Sequence, residues 1–414
     1  MTIALKGANL IDGRGGEPLE EVAIMIEGDE IISILPESQI ELGRDVELIE
    51  ARGKTVMPGL IDTHVHLEMP AGSDRLTYLI KTAPALVAFY AAQNARITLE
   101  AGFTTLRDAG GPTELVSLRT AIELGLVTGP RLQTSGMISM TGGHGDQAMG
   151  KAYWPARLRA TADGVDEVRK RVREHVRTGF DWIKIFTSGG VLSEGDESWW
   201  RNYTLEEITA ITDEAHALGK RVAAHAHGTE GIKNAIKGGV DTIEHGIYLD
   251  EEAVEMMVQE QLFLVPTMTI GRAFLERAGE RGLQDFALRK GRMVVDVVMD
   301  NMAKAYAAGV RMALGTDCDG NLARPGENAM ELELMTEIGM SPMEAIVAAT
   351  KNAAEALGLG DAVGTVEHGK KADLILVDGD PLEDIRILQE KEKILLVMKG
   401  GQILVDRRRN KQAL

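Results

Sequence analysis

The chain has one cysteine, Cys318, in 414 residues, so no disulfide can form within it. A reducing cytoplasm is the expected setting. No run of about 18 apolar residues occurs, and no membrane helix is predicted. The first residues, MTIALKGANLIDGRGG, lack a basic start, a long apolar core and a small-residue cleavage site, so no signal peptide is expected. Basic residues are in deficit: 45 Lys and Arg face 63 Asp and Glu, a net charge of -18. That balance argues against a nucleic-acid partner, whose footprint is a basic patch.

The hydrophobic fraction is 44% and the charged fraction 26%, as in a soluble globular protein. The length suits one large domain with a smaller companion. The two ends read as short β-runs separated by glycine and charged turns: TIALKGANLID, VAIMIEGDEIISIL and VELIEARGKTVMP first, then ADLILVDGDP and ILLVMKGGQILVD last. The Gly400-Gly401 pair predicts a tight hairpin. Residues 1–57 plus 362–414 are expected to pair into one small β-sandwich domain.

Residues 58–361 alternate apolar runs with helix-like stretches such as 165–178, 204–218 and 327–338. Thr204 with Glu207 forms a capping-box pattern, and Leu205, Ile208, Ile211 and Ala215 keep near-helical spacing. Eight strand candidates with intervening helices predict an α/β fold, a (β/α)8 TIM-like barrel. An open doubly wound sheet would normally carry a glycine-rich phosphate turn after its first strand. Here that strand runs into DTHVHLEMP instead.

Barrel enzymes carry their chemistry at the C-terminal strand ends. Those ends hold His64 and His66 (strand 1), Lys184 (strand 4), His225 (strand 5), His245 (strand 6) and Asp317 (strand 8). Imidazole and carboxylate suit zinc and similar divalent ions. Four histidines and an aspartate exceed one tetrahedral set, so two ions fit better. A neutral Lys184, carboxylated by carbon dioxide, has two oxygens with which to bridge them. A hydroxide between two metals is a nucleophile near neutral pH, and Asp317 is placed to take its proton. A strand-end lysine is also often an ordinary ion-pair residue, and Asp317 could instead cap the next helix.

Taken in order, DTHVH, IKIFTSGG, AAHAHG, TIEHG, LGTDCDG and VGTVEHGKKADLILVD resemble the amidohydrolase superfamily over nearly the whole chain. TSGMISMTGGHGD and HAHGTEGI look like its prolidase-like, arginine-carboxypeptidase-like branch, related to imidazolonepropionase. The resemblance implies a binuclear hydrolase. His64, His66 and Asp317 would hold one metal, His225 and His245 the other, with carboxylated Lys184 between them. Zinc is the expected ion. The implied substrate is a small peptide or amide, Xaa-Pro dipeptides or similar, with N-acyl amino acids and toxin or xenobiotic amides as the alternative.

The resemblance also marks His144 as a substrate contact. His227 would contact substrate or polarise the scissile carbonyl, at a place where a relative often has tyrosine. Arg201, Arg324 and Lys151 are loop cations able to meet a substrate carboxylate, though each could be a plain surface charge. Trp199-Trp200 could line a pocket or an oligomer contact. His175 and His216 fall on helix patterns and His368 in a turn, all read as structural. Loops 137–157, 188–203 and 268–290 would set the substrate choice. Neither a nucleic acid nor a membrane partner is expected; a homo-oligomer is.

A mononuclear deaminase would need a glutamate soon after the strand 5 histidine, where this chain has Ala226, His227 and Gly228. A non-catalytic assembly module would be expected to have lost ligands that are all present here.

Overall fold

The computed structural model describes residues 2–40, 43, 45–72, 78, 81–147 and 160–408. Strands from the two chain ends pair in one mixed sheet of eight strands. From the N-terminal segment come β1 (Thr2–Leu10), β2 (Leu19–Glu27), β3 (Glu30–Pro36), β4 (Val46–Glu50) and β5 (Thr55–Pro58). β1 pairs with β4 over residues 2–6 and with β5 at Asn9 and Leu10. The change of partner falls at Gly7, whose φ of 77° is costly for a residue with a Cβ.

A second sheet follows in sequence order: β6 (Leu60–Val65), β7 (Phe103–Asp108), β8 (Arg131–Ile138), β9 (Trp182–Phe186), β10 (Arg221–Ala226), β11 (Thr242–His245), β12 (Phe263–Val265) and β13 (Arg311–Met312). All seven neighbouring pairings in it are parallel, and β6, β7, β9 and β11 are buried at every residue. Parallel strands covered on both faces read as near-continuous apolar runs, which is how these stretches read in the sequence.

The sheet curls until its two edges meet. Thr63 N donates to Leu314 O (2.9 Å), Asp317 N to His64 O (2.7 Å) and His66 N to Cys318 O (2.9 Å). Helices pack outside. Gly164–Thr178 ends on Gly179 in the left-handed conformation (φ 96°), and Leu205–Ala217 starts from the Thr204/Glu207 capping box.

The C-terminal segment supplies β14 (Leu374–Val377), β15 (Ile394–Lys399) and β16 (Gln402–Asp406), returning to the first sheet. Gly400 and Gly401, both at positive φ, close the β15–β16 hairpin. One apolar core runs across both sheets: Ile375, Val377, Ile394 and Val397 pack in the same cluster as Leu60, Phe103 and Ile185. Among the described residues no helix is long and apolar enough to cross a membrane.

Candidate active site

The curled sheet brings the six expected ligand residues to one end. Lys184 is the middle residue of β9, between Trp182 and Phe186, which alternation puts on the same face. Trp182 packs below against Arg107, whose guanidinium carbon lies 4.6 Å from the ring centre, while Phe186 lines the cavity above. His225 lies near the end of β10 and His245 ends β11. β13 is shorter than the sequence suggested. Asp317 lies five residues beyond it, held by its backbone bond to His64 O rather than by strand pairing.

The side chains converge. His64 Nε2 and His66 Nε2 lie 3.6 and 3.4 Å from Asp317 Oδ1. Ring centres are 5.0 Å apart for His64–His245, 4.7 Å for His225–His245 and 4.5 Å for His225–His227. Metal-capable donor atoms within 4.8 Å of one another occur in three groups: His64, His245 and Asp317; His225, His227 and His245; and His66, Glu68 and Asp108. The third group was not anticipated from the sequence.

Burial favours the neutral form of His64, His144, His225 and His245 and so keeps their lone pairs available. It lowers His64 to about 4 and His144 to about 4, and takes His225 and His245 well below the usual histidine range. Burial would raise Asp317, but the surrounding His64, His66 and Lys184 hold it at about 2.

The second nitrogen of each ring is engaged. His64 Nδ1 meets Glu244 Oε2 (2.6 Å), and His66 Nδ1 meets Gly110 O (3.1 Å). His245 Nδ1 meets Thr267 Oγ1 (2.7 Å), and His225 Nε2 meets Gly189 O (3.2 Å). The carbonyl and carboxylate partners can only accept, so they fix the proton there. That leaves the lone pair of each ring on the other nitrogen, Nε2 of His64 and His66 and Nδ1 of His225, facing the site where an ion would bind. His245 (φ 73°) at the end of β11, and Thr267 (φ 50°) and Asp317 (φ 56°) beyond β12 and β13, sit in the left-handed region. Such strain clusters at functional sites.

Lys184 tests whether a metal pair fits. It is 2% exposed, and its Nζ makes no hydrogen bond. Burial lowers it to about 8, toward the neutral amine that carbon dioxide would capture. An orphaned buried amine among histidines is costly as it stands. A carbamate bridging two ions would resolve that cost.

The amidohydrolase family profile matches residues 55–404. The chain belongs to the amidohydrolase family. Ochratoxinase of Aspergillus niger is 34% identical to this amidohydrolase, over 96% of this chain and 85% of its own. The crystal structure of a Xaa-Pro dipeptidase with bound methionine in the active site has a TM-score of 0.90 at 36% identity, covering 98% of this chain and 100% of that one. A prolidase complexed with N-methylphosphonate-L-proline gives a TM-score of 0.90 at 35% identity, with coverages of 98% and 100%. This amidohydrolase is a hydrolytic enzyme.

The cavity above the ligand set is lined by His144 and His227, and by an apolar wall of Phe186, Leu192, Ile270, Phe274, Val294 and Leu322. His227 lies just past β10, with Nδ1 buried and unbonded. Arg201 does not line the cavity: it pairs with Glu230 (3.2 Å) and bonds Tyr203 O (3.2 Å). Arg324 is exposed, and Lys151 lies outside the described residues. Trp199 and Trp200 are 43% and 53% exposed on the surface. His175 bonds Met137 O, His216 pairs with Asp241 and His368 sits in an exposed turn, as their structural readings required.

Sequence reading missed the support beneath the ligands. Glu244 and Arg107 are fully buried and joined at 2.6 Å, and Arg107 Nε also donates to Thr63 O (2.6 Å). Asp62 accepts from Thr316 Oγ1 (2.6 Å), Asn328 Nδ2 (2.7 Å) and His64 N (3.0 Å), bolting β6 to the Asp317 segment. The available signal was a charge within a short strand candidate, Glu244 in TIEH and Arg107 in FTTLRD. Such a charge is expensive unless paired.

Proposed function

We propose that this enzyme is a binuclear metal-dependent amide hydrolase. The observation that carries the reading is Lys184, a buried amine without a hydrogen bond, standing among two histidine sets. His64, His66 and Asp317 would hold one ion, His225 and His245 the other, and carboxylated Lys184 both, with zinc the favoured metal. When bound, the pair supplies an activated water and an electrophilic pull on the scissile carbonyl. Asp317 Oδ1 takes the proton from the attacking water and returns it to the leaving amine nitrogen. His227, with Nδ1 unbonded, hydrogen-bonds the substrate, and so does His144. The apolar wall seats a bulky side chain and excludes water.

Two substrate readings have separate support. The Xaa-Pro dipeptidase and prolidase relatives favour a dipeptidase or carboxypeptidase. The apolar wall, with no lysine or arginine beside Lys184 among its described lining, favours N-acyl amino acids or aryl amides, and the ochratoxinase relative fits that. In this reading the curled sheet is a closed (β/α)8 barrel over 58–361, the chain ends form a small β-sandwich domain, and the enzyme is a cytoplasmic homo-oligomer.

The test is a panel of Xaa-Pro and other dipeptides, N-acyl amino acids and neutral aryl amides, scored for released amine. Turnover of at least one amide class is expected. Ammonia release from purines or pyrimidines, with no amide turned over, would replace the reading with a deaminase.

A further inference from the structure

The loop after β9 is organised around one buried cation. Lys290, on helix Asp285–Ala307, is fully buried. Its Nζ lies 2.8 Å from Gly190 O, 2.5 Å from Ser193 O, 2.7 Å from Asp196 O and 2.9 Å from Asp196 Oδ1. Three ammonium protons serve four oxygens, so every donor is used. Asp196 Oδ1 also accepts from Ser193 Oγ, and Ser193 Oγ lies 2.9 Å from His144 Nδ1.

The protons along this chain have one consistent arrangement. A carboxylate paired with lysine has none to give, so the serine hydroxyl points its hydrogen at Asp196. Ser193 Oγ can then only accept from His144, which places the ring proton on Nδ1. A neutral imidazole carries one N–H, so Nε2 is an acceptor. It makes no hydrogen bond to any described residue, and His144 lines the cavity together with Lys184, His225 and His227.

The ring has no freedom to turn. One face stacks on His225, centres 4.5 Å apart and planes at 21°. Against it also lies Gly190, where an added Cβ would stand 2.2 Å from His144 Cε1.

We propose that Ser193, Asp196 and Lys290 are positioning residues that fix His144 as the Nδ1–H tautomer, so that it offers the substrate a hydrogen-bond acceptor. The inference deepens the amide-hydrolase reading and rests on it for the identity of the cavity. The substrate group meeting Nε2 is an N–H or O–H, not a carbonyl oxygen. Ser193 is the residue to change, because the Lys290–Asp196 pair survives its loss.

The test needs no substrate to begin. Full-length protein labelled with 15N-histidine is compared in two-bond 1H–15N correlations as wild type, Ser193→Ala and Ser193→Thr. His144 is assigned by its absence in His144→Asn. The Nδ1–H pattern is expected in wild type and Ser193→Thr, and its loss in Ser193→Ala. A wild-type Nε2–H pattern, or an Nδ1–H pattern unchanged in Ser193→Ala, would overturn the proposal.

Kinetics then use substrates of the active class that differ only in N–H against N–CH3. Wild type is expected to favour the N–H member by about tenfold in kcat/KM, as for one hydrogen bond. The preference should fall in Ser193→Ala, mainly through KM, and return in Ser193→Thr. Equal hydrolysis of the pair by wild type would overturn the acceptor assignment. Failure of every amide would remove the functional reading while the tautomer result still decided the positioning role.

Discussion

Replacing Glu244 with glutamine probes the support beneath the proposed metal ligands. The carboxylate is fully buried and faces only donors: His64 Nδ1 at 2.6 Å, Arg107 Nη2 at 2.6 Å and Thr242 Oγ1 at 2.5 Å. Burial would raise its pKa, yet Arg107, His64 and Lys184 hold it well below the usual carboxylate range. Glutamine has the same shape but must turn its NH2 toward one of those donors. Turned toward Arg107, it leaves a buried guanidinium uncompensated, a loss of about 3–5 kcal/mol in unfolding free energy. Turned toward His64, it forces the ring proton off Nδ1 and onto Nε2, the proposed metal-binding nitrogen, and should weaken metal affinity by about 10–100-fold. Urea unfolding of metal-free protein at pH 7 reads the first effect, and metal titration reads the second. Adding Arg107→Met should recover stability, with a coupling of about 0.5–3 kcal/mol. A Glu244→Gln protein within about 0.5 kcal/mol of wild type, the scatter of an ordinary surface change, and with unaltered metal affinity would refute the reasoning.

Three further outcomes follow from the geometry. Lys184→Met should leave fewer than two metals per chain by elemental analysis and lower kcat/KM by about 100-fold or more. Gly315→Ala places a methyl 2.3 Å from Val265 Cγ1 and 2.9 Å from His64 Cβ; about 1–3 kcal/mol of destabilisation in urea, together with reduced metal binding, is expected. Glu331 is raised by burial to about 8 from 4.5, despite its bonds from Met268 and Thr269. Between those values the folded state binds more protons than the unfolded state. Its contribution to stability is therefore present below about 4.5 and lost as pH rises toward about 8. Glu331→Gln should flatten that slope relative to wild type in urea titrations across the window.

Much of the fold was legible because its periodicities are local. The apolar runs from GLIDTHVH to RMALGTD mark eight parallel strands, Thr204 and Glu207 cap their helix, and Gly400-Gly401 turns its hairpin. His64 and His66 were legible as a same-face pair, and the later strand ends gave them context. The support was not legible, because its partners are far apart in sequence. His64 and Glu244 are 180 residues apart, Arg107 and Glu244 are 137 apart, and Lys290 and Asp196 are 94 apart. No local pattern encodes such pairs. The loop cations illustrate the reverse case: Arg201 looked available for a substrate carboxylate, but Glu230 and Tyr203 occupy it.

The metal content of active enzyme tests the central claim most directly. Protein prepared without chelator and assayed on the best amide of the panel should carry two divalent ions per chain. Chelation should abolish turnover, and added zinc should restore it. Undiminished amide hydrolysis by protein shown to contain no metal would contradict the account.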